Sequence, residues 1–217
     1  LTEYSSGGTW HFSGVQDTDA VLMGSKWSIT NLTYSFPTSG ANYNSPYYKP
    51  DYVSHQVVLN AAQQTAAIYA FNLISSYTNL HFSQVTETAS THGNIRISQT
   101  TSTQQQSAEG NFPGSDASDG DIWIGKSASN PQPFYLTPNI GNWGQATFMH
   151  EIGHTMGLKH GHSDYTSFDL TNGGYIDGPG PFYGTAALPS NHDGQDWSLM
   201  TYRSDPGNSS SVFEGDQ

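Results

Sequence analysis

The sequence predicts an upper lobe of α/β or α+β type over about residues 1–157 and a loop-rich lower lobe over about 158–217. Three observations carry this reading. Short runs of alternating apolar and polar residues recur before residue 126 and read as strands. Two longer segments, His55–Tyr77 and Trp143–Gly157, read as helices. Beyond Gly157 there is no long periodic element, only a tail rich in Gly, Asp, Asn and Tyr. The 217 residues suit a single domain, 1–217, split into two lobes by a cleft. No internal repeat or dividing linker is visible.

Residues 1–20, rich in Ser, Gly, Thr and Asp, read as an extended lead-in. Ala20–Trp27 (AVLMGSKW) supplies the first apolar anchors. Asn31–Pro37 (NLTYSFP) alternates as a strand does, and Pro37–Pro50 is a loop. The helix His55–Tyr77 carries an apolar face through Val57, Val58, Ala61, Ala62, Thr65, Ala66, Ile68, Tyr69, Phe71, Asn72 and Ile74. Leu80–Val85 and Asn94–Gln99 are strands, and Thr100–Ser107 is a solvated polar loop. Gly110–Gly114 (GNFPG) is a short edge-like segment, and Asp121–Gly125 (DIWIG) is a further strand. Ser127–Asn142 is a Pro- and Asn-rich loop ahead of the second helix.

Composition narrows the function. Six Lys plus Arg stand against eighteen Asp plus Glu, a formal net charge of −12. Such a surface repels nucleic acid and anionic membranes. It favours solubility and offers sites for calcium. There is no cysteine, so disulfides and thiolate metal ligands are excluded. That usage fits a bacterial secreted protein better than a eukaryotic one. No apolar run approaches the ~20 residues that span a bilayer. The chain opens at Leu1 without a signal-peptide pattern, which reads as a mature form or a cut piece.

The chemistry concentrates in His150-Glu151-Ile152-Gly153-His154-Thr155-Met156-Gly157-Leu158-Lys159-His160, of the form HExxHxxGxxH. Positions i and i+4 lie on one helix face, so His150 and His154 can aim ring nitrogens at one zinc ion. Glu151 sits beside the metal rather than on it and can take a proton from metal-bound water. Gly157 lets the chain leave the helix and return His160 as a third ligand. Three neutral imidazoles leave a coordination position open, the pattern of a catalytic rather than a structural zinc site.

Three stretches, Asn31–Pro37 (NLTYSFP), Thr147–His160 (TFMHEIGHTMGLKH) and Ser198–Tyr202 (SLMTY), resemble the metzincin zinc proteases, and among them the secreted bacterial serralysins. The lead-in Asp19–Trp27 is also similar, and the likeness runs from about residue 17 to about residue 207. The resemblance implies a metzincin-type α+β domain: a twisted, mostly parallel five-stranded sheet, two long helices, and zinc at the floor of a horizontal cleft. It implies that Met200 lies in a packed "Met-turn" beneath the site. It also implies that Tyr202 ligates zinc at rest and swings toward the transition-state oxyanion. Two departures stand out. Gly161 and His162 replace the usual Pro after the third histidine, and no calcium-binding nonapeptide repeat follows.

The expected activity is secreted, extracellular hydrolysis of protein or peptide substrates by a monomer. Glu151 serves as general base, Tyr202 stabilises the oxyanion, and Glu109–Phe112 (EGNF) offers an edge to an extended substrate. The alternatives are another metzincin branch or a non-catalytic zinc-containing binding module. The absence of cysteine argues against an astacin-like chain, Tyr202 against a matrixin-like one, and Glu151 against a binding module. Calcium candidates are Asp116, Asp119 and Asp121, and Asp164, Asp169 and Asp177, although neither run has EF-hand spacing. His162 is a minor metal candidate, and His192 is assigned a loop role near the site. Asp17 or Asp19 is a candidate blocking ligand.

Overall fold

A computed structural model describes residues 15–23, 25–43, 46–88, 90–105, 107–126, 133–161, 188–189 and 191–202. These fall into two compact units, one over 27–156 and the other formed by 15–26 with 157–202. In chain order the elements are α1 (Gln16–Asp19), β1 (Asn31–Ser35), a 3-10 turn (Gly40–Asn42), α2 (Pro50–Ser54), β2 (Gln56–Val57), α3 (Ala61–Tyr77) and β3 (His81–Gln84). There follow β4 (Ile95–Thr100), β5 (Ala108–Gly110), β6 (Asp121–Gly125), α4 (Pro133–Leu136) and α5 (Trp143–Thr155).

In the 27–156 unit the strands form one sheet, ordered β3-β1-β4-β6-β5, with the two-residue β2 attached to β4. The β1–β3, β1–β4 and β4–β6 pairings are parallel, and β2–β4 and β5–β6 are antiparallel. This is the expected α+β architecture, a mostly parallel five-strand path with two long helices. The central strands β4 and β6 are buried along their whole length, as parallel strands covered on both faces must be. The end strand β3 is largely exposed and polar, which keeps that edge from recruiting another chain.

The two faces of the sheet differ in chemistry. On one, Ile95, Ile97, Ile122 and Ile124 pack in a single apolar cluster with Ala66, Ala67, Phe71, Phe148 and Ile152 of the long helices. On the other, Trp123 packs with Tyr43, Tyr47 and Tyr52. That layer is threaded by polar bonds. The Arg96 Nε and Nη2 atoms each donate to Asp121 at 2.7 Å. The Tyr47 hydroxyl donates to the same carboxylate at 2.7 Å. The guanidinium also lies over the Tyr43 ring, 4.4 Å from its centroid. Burial raises the Asp121 carboxyl, and Arg96 and Tyr47 pull it back.

Several boundaries differ from the expectation. The first long helix starts at Ala61, not His55, because Asn60 and Gln63 close a reciprocal capping box there. Residues 56–57 are instead drawn into the sheet against Gln99 and Thr100. Val58 and Tyr69, expected on the apolar face, are exposed, whereas Gln63 is buried and donates to the Tyr135 carbonyl at 2.7 Å. The edge segment is Ala108–Gly110 rather than Gly110–Gly114. The lead-in contains α1, and the loop before the second helix contains α4.

The Asn142 side chain caps the start of α5 by accepting from the Gln145 N–H at 3.0 Å. At the other end the buried Trp27 Nε1 donates to the Thr155 carbonyl at 2.7 Å. The helix closes two residues before Gly157, whose φ is +91°. Within the 15–26/157–202 unit, Met23 N–H donates to the Gly157 carbonyl at 2.9 Å, Leu22 bridges Leu158, and Lys159 N–H donates to the Val21 carbonyl at 2.7 Å. The buried Lys159 ammonium donates to the Ala20 carbonyl, and burial lowers its pKa to about 8.

A Cβ on Gly157 would overlap the Ser25 carbonyl oxygen, in a backbone conformation that L side chains already disfavour. Gly157→Ala is therefore expected to cost about 2 kcal/mol or more. That corresponds to a melting temperature lower by about 4–8 °C. An unchanged melting curve would contradict the assigned backbone conformation.

Candidate metal centre

Helix α5 places His150 and His154 one turn apart, with ring centroids 4.7 Å apart and ring planes at 89°. His154 is buried, and the Phe112 ring meets it edge-on at 5.3 Å. His160 comes back after the Gly157 turn. The candidate ligand atoms of His150, His154 and His160 all lie within 4.8 Å of one another, the one such group of His, Asp or Glu side chains among the described residues. Three imidazole nitrogens with no thiolate are the donor set of an open, hydrolytic site, so the residues present fit a divalent metal.

Glu151 follows the first histidine and is itself buried. Burial pushes its carboxyl up to about 8, the Glu109 charge adds to the rise, and the Gly110 backbone N–H opposes it as a hydrogen-bond donor. A dication bound nearby acts in the same direction as that N–H. Glu109 is held by the Lys49 ammonium and by the Tyr48 hydroxyl, which donates to it at 2.9 Å. Burial, and then the Glu109 charge, raise the Tyr48 phenol.

Tyr202 is half exposed, and its ring lies 4.3 Å from that of His160 at 54°. It follows a tight turn in which Thr201 N–H donates to the Ser198 carbonyl at 3.2 Å. Met200 is buried in that turn, and its carbonyl accepts from Gly161 N–H at 3.2 Å. The Thr201 hydroxyl donates to the buried Asp193 carboxylate at 2.6 Å and pins the turn from behind.

Other candidates are placed differently. Asp121 is committed to Arg96 and Tyr47 in the interior, which removes it from the calcium run. Asp119 accepts from the Asp116 N–H at 2.8 Å. His192 bonds Asp17 through Nδ1 at 2.8 Å and stacks on Trp197 at 3.9 Å. Asp17 is thus engaged by a histidine outside the triad, and Asp19 is buried. His162, Asp164, Asp169 and Asp177 lie outside the described residues. Sequence reasoning missed the contact of Gly110 with Glu151 and the Trp27 bond at the end of α5. A single glycine or tryptophan between elements carries no periodic signal that would have exposed either.

No family model matches the chain. Curated relatives do. Metallopeptidase AprA of Pseudomonas marginalis is 29% identical over 188 residues, covering 85% of this chain and 35% of its own length. Serralysin G of Dickeya chrysanthemi is 33% identical over 150 residues, covering 67% of this chain and 30% of its own. The chain thus spans about a third of the length of these relatives. The solved structure of myroilysin aligns over 85% of this chain and 74% of that one, with 16% identity and a TM-score of 0.39. In sequence the chain is thus similar to metallopeptidases of the serralysin type, and it brings His160 together with His150 and His154 of its second long helix.

Proposed function

We propose that this chain is a secreted zinc endopeptidase acting on extended segments of protein substrates. The observation that carries the reading is the convergence of His150, His154 and His160, with Glu151 one residue from the first of them. When bound by the three imidazoles, zinc supplies a Lewis acid that polarises the scissile carbonyl and acidifies a water. Glu151 takes the proton of the attacking water and delivers it to the leaving amine. Its burial keeps competing bulk water away from that transfer.

Tyr202 donates its phenolic proton to the developing oxyanion, with the ring guided by its packing against His160. The strand β5 ends the sheet, so its outer edge is open to an extended peptide, giving main-chain recognition and broad specificity. A chain without cysteine and with a strongly acidic surface suits life outside the cell.

Digestion of unfolded casein in H₂¹⁸O tests this reading. The expected result is new peptide termini inside the casein chain, carrying ¹⁸O in their carboxylates. A chain that binds zinc and leaves every protein intact would instead be a binding module. Tyr202→Phe is expected to lower kcat about 10²- to 10³-fold with zinc content and KM unchanged. Steady-state kinetics with metal analysis checks this, and an unaltered kcat would remove Tyr202 from the mechanism.

A further inference from the structure

We propose that Tyr48 is a specificity-determining residue: its anchored, half-exposed ring takes an apolar or aromatic side chain of an extended peptide laid along β5. The inference rests on the peptidase reading for the identity of that peptide as a substrate.

Strand β5 ends the sheet, so its outer edge is open. Gly125 N–H donates to the Ser107 carbonyl, and Asn111 N–H donates to the Asp121 carbonyl, in the register that pairs Glu109 with Trp123. Antiparallel ladders alternate, so residues 107, 109 and 111 face β6. The Ala108 N–H and C=O and the Gly110 C=O face the open edge. A peptide joining that edge alternates its side chains in step with β5. The peptide residue beside Ala108 points to the helix face, where Ala108 packs against the apolar core. The residue beside Glu109 points to the opposite face, that of Trp123 and the aromatic layer.

On that face Tyr48 lies across the strand. Its hydroxyl donates to Glu109 at 2.9 Å and accepts from the Asn111 Nδ2 at 3.0 Å. Glu109 and Asn111 are two apart, so they share one face of β5. The Tyr48 ring also packs on Tyr47, with centroids 5.0 Å apart and planes at 55°. Tyr47 is itself fixed, donating to Asp121 and accepting from the Trp123 Nε1 at 2.9 Å. Tyr48 is therefore held at its polar end and along one side, yet it stays 49% exposed. Single exposed aromatics are common. This one is set apart because it is rigid and lies beside an open strand edge, so covering it costs little side-chain entropy.

The chemistry of this shelf is apolar. The Lys49 ammonium pairs with Glu109 and lies 4.7 Å from the Tyr52 ring centroid and 5.1 Å from that of Tyr48. Each charge is thus already met, and the one polar atom of the Tyr48 side chain is turned to the strand. An apolar side chain placed there removes ring carbon from water and leaves no charge unpaired. A charged one would compete with the Lys49–Glu109 pair. Gly110, the next residue along, lies against the turn of α5 that carries Glu151 and His154, where a Cβ would overlap the Glu151 carbonyl oxygen. The shelf therefore flanks the candidate metal centre, within reach of one short peptide. Main-chain bonds along β5 supply affinity, and the shelf supplies a preference at one position.

Discrimination between peptides tests this, a readout that a merely structural tyrosine would not move. Binding is measured in the full chain carrying Glu151→Gln, so that bound peptide stays intact. The probes are decapeptides of Gly, Ser and Thr with a central Phe, Ala or Lys. The Phe peptide is expected to bind about five- to tenfold tighter than the Ala peptide and to shift the Ala108 amide resonance. Tyr48→Ala is expected to bring the Phe peptide down to the affinity of the Ala peptide, with the Ala peptide bound as before. Should that variant not fold, Tyr48→Gln, which keeps a polar end near Glu109 and Asn111, carries the same expectation. An undiminished Phe preference would overturn the proposal, as would a preference for the Lys peptide or no binding of any of the three. In the active chain, casein cleavage sites are expected to be enriched in large apolar residues at one position, which Tyr48→Ala flattens. Casein cut with a profile independent of Tyr48 would overturn the proposal and leave the peptidase reading standing. A chain that cuts no protein ends the peptidase reading, while peptide binding still decides the role of Tyr48.

Discussion

Replacing Glu151 by Gln is expected to lower kcat about 10²- to 10⁴-fold, the usual worth of a positioned general base. Zinc content and KM are expected to stay at their native values, because the side chain keeps its shape and is not a member of the histidine triad. An amide in that position cannot take a proton from water. The variant is also expected to melt no lower than the native chain, since a buried carboxylate is replaced by a neutral group. Steady-state kinetics beside metal analysis and a melting curve checks all three expectations. Native turnover in Glu151→Gln would remove the residue from the chemistry.

The largest expected effect on stability lies away from the metal centre. Arg96→Met leaves the buried Asp121 carboxylate without the guanidinium that donates to it twice. Removing one partner of a buried pair costs about 3–5 kcal/mol, whereas replacing both by apolar residues is often close to neutral. Arg96→Met is therefore expected to lower the melting temperature by roughly 10 °C. The double variant Arg96→Met with Asp121→Leu is expected to recover most of that loss. Chemical denaturation separates the outcomes, and a single variant as stable as the native chain would show that the pair is not coupled as its geometry requires. The effect reaches the site because Asp121 opens β6, the strand against which β5 is registered.

The candidate site was far more legible in the sequence than its supports. The eleven residues from His150 to His160 combine helical spacing with a glycine exit, both purely local rules, and the structure brings the three histidines together. The strand Asp121–Gly125 was equally readable, as a short apolar run between turn signals. The start of α3 was not, because the apolar residues at 57 and 58 extend the pattern beyond the Asn60 cap that ends it. The aromatic layer of Tyr43, Tyr47 and Tyr52 was hidden in a segment whose Gly, Asn and Pro content reads as a loop. Its tyrosines meet Trp123, Arg96 and Asp121, residues at least 53 positions away (43 to 96), and no periodicity reports such contacts. The Gly110 contact is of the same kind: a glycine is informative only once the helix pressed against it is known.

His150, His154 and His160 are expected to hold one zinc that the chain uses to hydrolyse peptide bonds. The most direct test is zinc stoichiometry and caseinolysis measured on one sample, before chelation, after chelation, and after zinc is restored. The expected result is about one zinc per chain, the stoichiometry of a single three-histidine site, with activity lost on chelation and regained with the metal. Casein hydrolysis that persists after the zinc has been removed would contradict it.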